Sequence, residues 1–510
     1  MENHKYDHVV VGSGISGLTA AVLLARQGGR VLVLEKAPAI GGSMARFSLE
    51  GVPFDTGFHF TGGLAPEGLL FDMLKVLGIE QQIHPIPFDG EQGTRFVFES
   101  SGNRYNFPCD RAGTLRELQA RFPNEAEAIE AYFAQLDAVC SATTSMELRH
   151  IGESMHQLDE DYQSLSEVLD ELFDNPELKA LLAGYCLCYG VAPSEISFAN
   201  HARISQGMHD GIVRVENGGD AFISALREKL DEAGVEIRCK SHIVACEEIN
   251  GQEVGAFRLN SGDLIHFKDA VLAIHPHAIL DLLPQEKLRK AFINRVRGFE
   301  PSFGFFALFG VCDAPDLLDD FILLGLPEPN LDEMFHPGDR EKDSMLFGIS
   351  GEEEVESQPV RTLIMLEAAC PEDMEEWADS SLMKRPAAYA EYKARKTERI
   401  MERMLAHLPQ LEGHFKVLGS STPLTFRDYL HSPDGSAYGV KQKMGQFNLL
   451  GRLPLRNLYA AGQSSVLPGV MGAMVSSFMV CRTLLGAEEF DKMIKGKING
   501  YVVPSLGGLE

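Results

Sequence analysis

Val9-Val10-Val11-Gly12-Ser13-Gly14-Ile15-Ser16-Gly17, and after an apolar run Val31-Leu32-Val33-Leu34-Glu35, decide how this chain begins to fold. The order is strand, G-x-G-x-x-G turn, helix, second strand and a terminal acid. Each piece has a physical task. Gly12 permits a tight turn, Gly14 lets the backbone approach a pyrophosphate, and Gly17 lets the helix pack close to the sheet. The helix N-terminus turns its free amides and its dipole towards the phosphates. Glu35 stands about 20 residues further on, where a carboxylate accepts hydrogen bonds from a ribose hydroxyl. Ser13 and Ser16 in the turn, and Lys36 after the acid, belong to the same candidate group. Glycines also serve ordinary turns, but strand, helix and acid at these spacings together specify a dinucleotide site.

The rest of the chain is long enough for more than this unit. With 510 residues it holds two or three lobes and a large core. Apolar residues make up 45% and charged residues 23%, the balance of a soluble globular protein. A formal net charge of −27 argues against nucleic acid and against electrostatic adhesion to anionic lipid. It leaves open a peripheral membrane contact through an apolar patch. Nine cysteines occur, none in a C-x-x-C pair; Cys186 and Cys188 are the closest, and their spacing suits neither a zinc knuckle nor a redox motif. Free, mostly buried thiols in a reducing compartment are expected, and no metal site. The N-terminus MENHKYDH lacks the pattern of a secretory leader, so a cytoplasmic location is expected. Asn457 to Cys481 contains no Asp, Glu, Lys or Arg, yet Pro468, Gly469, Gly472 and several serines interrupt it. It reads as a buried strand, a glycine-rich loop and a buried helix, rather than a span of about 20 apolar residues.

Further along, Phe96–Glu99 and Asn103–Phe107 flank Ser100-Ser101-Gly102 as a β-hairpin. Residues 112–183 are helical in pattern. From Gly218-Gly219 a second α/β stretch begins, with a helix, then strands at Val235–Ile237, Ser241–Val244 and Ala270–Ile274. Residues 301–312 form a very apolar strand. Residues 313–358 are acidic and rich in proline and glycine, which predicts a mobile lid or surface excursion. A charged helix is expected over 386–407. The predicted division is a cofactor-binding part from 1–75, 206–290 and 446–510, and a substrate lobe from 76–205 and 291–445.

Four separated segments read as parts of one cofactor site. They are the Gly12–Glu35 unit; Gly41-Gly42-Ser43 with Phe54-Asp55-Thr56-Gly57-Phe58-His59; the strand around Ile243; and Ala461-Gly462-Gln463 leading to Pro468-Gly469-Val470-Met471-Gly472. A nicotinamide enzyme needs only the first. FAD is long, and holding it extended takes a glycine turn at the pyrophosphate and another at the flavin. A final helix starting near Met471 would direct its N-terminal amides at the flavin, where a helix dipole stabilises an anionic reduced ring.

These motifs resemble the FAD-dependent phytoene desaturase-like superfamily, relatives of the amine oxidases, and within it the branch of retinol saturases and carotenoid isomerases. The residues that carry the resemblance include Phe54–His59, Thr422-Pro423-Leu424-Thr425-Phe426-Arg427-Asp428-Tyr429, Gly435-Ser436-Ala437-Tyr438-Gly439, and Gly462-Gln463 with Pro468-Gly469 and Gly472-Ala473. Amine oxidases usually show G-G-R where this chain has Gly41-Gly42-Ser43, and the cysteine motif for covalent flavin is missing. Both departures count against amine oxidation and for a non-covalent flavin.

The resemblance implies an α/β fold: a Rossmann-like FAD-binding domain assembled from discontinuous segments, plus a substrate lobe with a largely antiparallel sheet and a helical cap. It implies FAD contacts at Gly12, Gly14, Gly17, Glu35, Gly42, Ser43, Gly57, Phe58, Ile243, Gly462, Gln463, Met471 and Gly472, with Ile243 equally readable as core. In similar proteins His59 passes near the flavin, so it is the catalytic candidate for moving a proton; the alternative is a buried histidine bonded to backbone. Arg46 reads as a phosphate partner or a loop residue, and Arg427-Asp428 as a substrate anchor or a plain ion pair. The aromatic strand Phe303-Gly304-Phe305-Phe306 lines a tunnel or fills core.

The implied chemistry is hydride transfer between flavin and carbon of an apolar, polyene-like substrate, saturating or desaturating a carbon–carbon bond. No second G-x-G-x-x-G is present, so an external electron donor or acceptor is expected. Two rivals stand beside this reading. One is a flavin-dependent polyene cis–trans isomerase without net redox. The other is a non-enzymatic lipid escort on the same architecture, as in Rab escort and GDP-dissociation-inhibitor proteins.

Overall fold

The structure is a computed structural model; it describes residues 6–498 apart from 67, 89, 91, 153–156 and 335–338. Two sheets organise the described residues. In the first, Glu236–Arg238, Val31–Leu34, Tyr6–Val11, Leu264–Leu272 and Leu458–Ala460 lie side by side, all parallel. The fully apolar β-branched runs of Val9–Val11 and Val31–Leu34 suit strands covered on both faces. Helices Ile15–Ala25, Gly218–Glu232 and Gly469–Leu485 cover one face through a shared core cluster. The strand Leu264–Leu272 also extends into an antiparallel flap with Glu253–Leu259 and Ile243–Asn250. Three distant stretches of chain therefore build one dinucleotide sheet.

The second sheet has the order Phe415–Ser421, Gly304–Cys312, Gln358–Ala369, Leu346–Val355, Ile322–Leu326, Thr94–Phe98, Arg104–Phe107. Every pairing is antiparallel except Ile322–Leu326 with Thr94–Phe98. One face carries the long helix Ala387–His407. The other meets a helical cap that includes Ala126–Ala142, Leu165–Leu172, Pro176–Ala183 and Phe198–Asp210. Inside the cap, His201 is fully buried between the hydroxyls of Tyr132 (2.8 Å) and Tyr189 (2.9 Å).

One expectation is overturned. Within the stretch 313–358, read as a mobile lid or surface excursion, Ile322–Leu326 and Leu346–Val355 are instead interior strands of the second sheet. Ile322–Leu326 is buried at every position, and the acids and prolines that suggested a loop sit in its connections. The hairpin, the helix over 386–407 and the strand–loop–helix over 457–481 form as read, as Thr94–Phe98 with Arg104–Phe107, Ala387–His407, and Leu458–Ala460 with Gly469–Leu485. Among the described residues no helix is long and apolar enough to cross a membrane. All nine cysteines are unpaired and buried or half-buried.

Candidate active site

The glycines of the first turn have different neighbours, and these separate their tasks. Gly12 has φ +94°, and a Cβ there would stand 2.6 Å from the Ala273 carbonyl oxygen. A Cβ on Gly17 would stand 1.9 Å from the Gly12 carbonyl oxygen, so the helix crosses the turn at backbone contact. Around Gly14 a Cβ would meet nothing within 4 Å. The first two glycines are demanded by the protein; the third keeps a space open. Gly14 is the N-cap of Ile15–Ala25 and offers no side-chain cap, so first-turn amides face that space unpaired. Glu35, buried at the end of its strand, accepts from Ser13 N (2.9 Å), Ser13 Oγ (2.5 Å) and Ala37 N (2.7 Å), which holds the turn against the acid. Gly41 N donates to Ser13 O (3.0 Å) and brings Gly42 against Gly14. Lys36 is exposed beside this acid, and Ser16 is buried, its Oγ 2.7 Å from that of Ser477.

The other end of the trough is built by the C-terminal segment. Helix Gly469–Leu485 starts two residues earlier than read, with Pro468 as an N-cap that makes no side-chain bond. Gly472 is pressed on the preceding loop: a Cβ would stand 2.1 Å from the Leu467 carbonyl oxygen. Gly462 N donates to Ser476 Oγ (2.8 Å), and Gln463 O accepts from Gln442 Nε2 (2.8 Å). Two uncapped helix starts and open space at Gly14 and Gly462 fit the pyrophosphate and flavin ends of FAD. Gly12, Ser13, Gly14, Glu35 and Gly42 would hold the dinucleotide end, and Gly462, Gln463, Met471 and Gly472 the flavin end.

Against the flavin end lies a cavity partly open to solvent. Its wall combines Gly57–Gly62, Leu467–Met471, cap residues such as Leu187 and Met208, and Phe305, Phe347 and Leu366 of the second sheet. No charged side chain lines it; His59, Thr61, Cys188 and Tyr438 are its polar side chains. Burial, with Arg46 nearby, holds the His59 imidazole down at about 4. Nδ1 of His59 is buried without a partner, while the half-buried ring reaches the cavity. Phe58 is packed edge-on against Phe222 (5.2 Å) and anchors this wall.

The sequence pattern of the flavin containing amine oxidoreductases matches residues 15–334. The chain belongs to that family. All-trans-retinol 13,14-reductase of Danio rerio is 26% identical over 94% of this chain and 86% of its own length, and the Homo sapiens protein of that name is 25% identical over the same shares. Prolycopene isomerase of Daucus carota is 25% identical over 56% of this chain and 49% of its own. An oxidoreductase from Methanosarcina mazei superposes with a TM-score of 0.64 at 15% identity, covering 93% of this chain and 99% of its own. Putrescine oxidase bound to putrescine gives 0.63 at 14%, covering 95% and 99%. The protein is thus an FAD-dependent oxidoreductase of the retinol saturase and carotenoid isomerase branch.

In this flavoprotein several candidates take the plainer of their two roles. Arg46 is paired with Asp55 (3.1 Å) and Glu353 (2.6 Å), joining the hairpin of Arg46–Leu49 and Val52–Asp55 to the second sheet. Despite Arg46, burial pushes Asp55 up to about 6. Arg427 binds Asp428 (3.0 Å) and the carbonyl of Ser380 (2.9 Å), and Asp428 also binds Arg385; the group shapes a loop away from the cavity lining. Ile243 opens its strand half-buried against the core, a position open to both of its readings. Phe305 lines the cavity, whereas Phe306 faces the opposite core.

Sequence reading missed the cap residues Leu187, Cys188 and Met208, which carry no motif, and gave Tyr438 no role although its Gly435–Gly439 segment was singled out. It also missed His275, His277 and Asp434, whose ligand atoms lie within 4.8 Å of one another. Nδ1 of His275 accepts from the His277 N–H (3.3 Å), while its Nε2 stands 3.8 Å from Asp434 without a hydrogen-bond partner.

Proposed function

We propose that this flavoprotein transfers hydride between FAD and a carbon–carbon bond of an apolar polyene, a retinoid or carotenoid, and that saturation is its chemical direction. The observation that carries the reading is the cavity without charged side chains set against the flavin end of the trough. An apolar wall favours an uncharged ligand through burial. The similarity to retinol reductases over most of both chains supports the substrate class.

When bound, the flavin supplies the two-electron hydride chemistry. The chain supplies the remainder. Phe58 and the Leu467–Met471 loop set the cofactor side of the cavity, and Phe305 and Phe347 align an apolar chain across it. His59, held unprotonated at neutral pH, offers a hydrogen-bond acceptor there. With a single dinucleotide turn in the chain, electrons come from an external donor. Isomerisation without net redox is the second reading, favoured by the likeness to prolycopene isomerase.

The test is mass analysis of all-trans-retinol and a linear carotene incubated anaerobically with chemically reduced holoprotein. A gain of two hydrogens supports saturation. Unchanged mass with altered chromatographic mobility moves the assignment to isomerisation. No change with reduced or oxidised protein removes polyenes as the substrate class.

A further inference from the structure

Adding two hydrogens across a carbon–carbon double bond needs a proton donor as well as a hydride. Of the polar side chains on the cavity wall, His59 is deprotonated, and Thr61 Oγ donates to the Gly62 carbonyl (3.0 Å). Cys188 offers a thiol, a weak hydrogen-bond donor. Tyr438 remains. Its phenol, kept protonated by burial, has no hydrogen-bond partner among the described residues and stands on the cavity wall.

The surroundings of Tyr438 are those of a positioned group. Its ring meets Phe303 and Phe305 edge-on, each at 6.3 Å, and lies against Gly190, where a Cβ would stand 2.9 Å from Tyr438 Cδ2. Its N–H donates to Ser302 Oγ (3.1 Å). The residues on either side are fastened to the cofactor loop: the Ala437 carbonyl accepts from Gln463 Nε2 (3.4 Å), and Gly439 is so close to Ser464 that a Cβ would stand 2.1 Å from its Oγ. The same short segment thus contacts the flavin-end loop and places Tyr438 on the wall of the substrate cavity.

We propose that Tyr438 is the catalytic acid of the saturation, an inference that rests on the polyene reading above. In this step the π bond breaks. One carbon forms a C–H bond with the hydrogen and electron pair that come from the reduced flavin. The neighbouring carbon takes the Tyr438 proton as the phenolic O–H bond breaks. Substrate gains two hydrogens, flavin is left oxidised, and the phenolate is reprotonated from water.

Tyr438→Phe keeps the ring contacts and removes only the hydroxyl. Reduced holoprotein and all-trans-retinol or lycopene in D2O form the assay, with FAD stoichiometry and thermal midpoint measured alongside. Wild type is expected to give product carrying solvent deuterium at both carbons, because the reduced-flavin N–H exchanges with D2O as the phenol does. The variant is expected to bind FAD normally and lose about a hundredfold or more in the rate of hydrogen gain, the usual scale for a general acid. A Tyr438→Phe protein as fast as wild type overturns the assignment and leaves the polyene reading standing. So does product without solvent deuterium. A wild type inert towards both probes removes the reading and the acid together.

Discussion

At the scale of single residues, the first turn separates a glycine needed for folding from one needed for binding. Gly17→Ala drives a Cβ into the Gly12 carbonyl oxygen at 1.9 Å, so it is expected to lower the thermal midpoint of apoprotein and holoprotein alike. Gly14→Val meets no protein atom at its Cβ and is expected to leave the apoprotein folded while abolishing FAD retention, because the space it fills is the pyrophosphate's. Differential scanning calorimetry of apoprotein, with flavin content by absorbance, separates the two. A Gly14→Val protein that retains FAD would show that the space serves no ligand. These roles were legible in the sequence because turn, cap and helix start lie within six consecutive residues. Tyr438 was not, because its significance comes from Phe303, Gly190 and Ser464, each far away in the chain.

At the scale of elements, the C-terminal helix completes a site that the N-terminal helix begins. Ser477 Oγ donates to the Ser16 carbonyl (2.8 Å), and the small residues Ser16, Ala20, Ser477 and Cys481 let the two helices approach closely. Gly472→Ala places a Cβ 2.1 Å from the Leu467 carbonyl oxygen, so it should displace the loop that walls both flavin and cavity. The expected result is weakened FAD binding with near-native circular dichroism; fluorescence titration of apoprotein with FAD measures it, and unchanged affinity would count against the loop's role. Residues 313–358 teach the converse lesson. Ile322–Leu326 is a short apolar run and Leu346–Val355 begins with one before Glu352–Glu354, and composition averaged over the region hid both. Pairing with Thr94–Phe98 and Gln358–Ala369 decides that Ile322–Leu326 and Leu346–Val355 are interior strands.

At the scale of the whole molecule, buried histidines make stability depend on pH. Burial holds His201 and His209 down at about 3 and His59 at about 4, against an ordinary 6.5. Above about 6.5 both folded and unfolded forms are neutral at these sites, and their contribution is intact. As pH falls below that, the unfolded chain takes up protons that the folded one refuses, so stability is lost progressively towards pH 4 and below. The thermal midpoint is expected to fall from pH 7 to 4.5. His209 packs edge-on between Phe133 (5.0 Å) and Tyr185 (5.1 Å) with Nε2 unpartnered, so His209→Leu should flatten that slope by about one proton at little cost at neutral pH. An unchanged slope would exclude His209 from the acid response.

The sequence by itself determined the dinucleotide unit, the two separated glycine loops that suit FAD, and the branch of flavoproteins that the family and relatives confirm. Those signals are local: a turn, a cap and a strand end act through neighbours a few residues away, so their chemistry is written in consecutive positions. Only the tertiary structure decided what faces the flavin end. The cavity is assembled from residues near 60, 188, 208, 305, 347, 438 and 470, joined by sheet pairing and by the cap's packing. It decided the charge states as well. His59 has an ordinary imidazole in the sequence, and burial beside Arg46 is what leaves it without a proton and gives Tyr438 the acid's place.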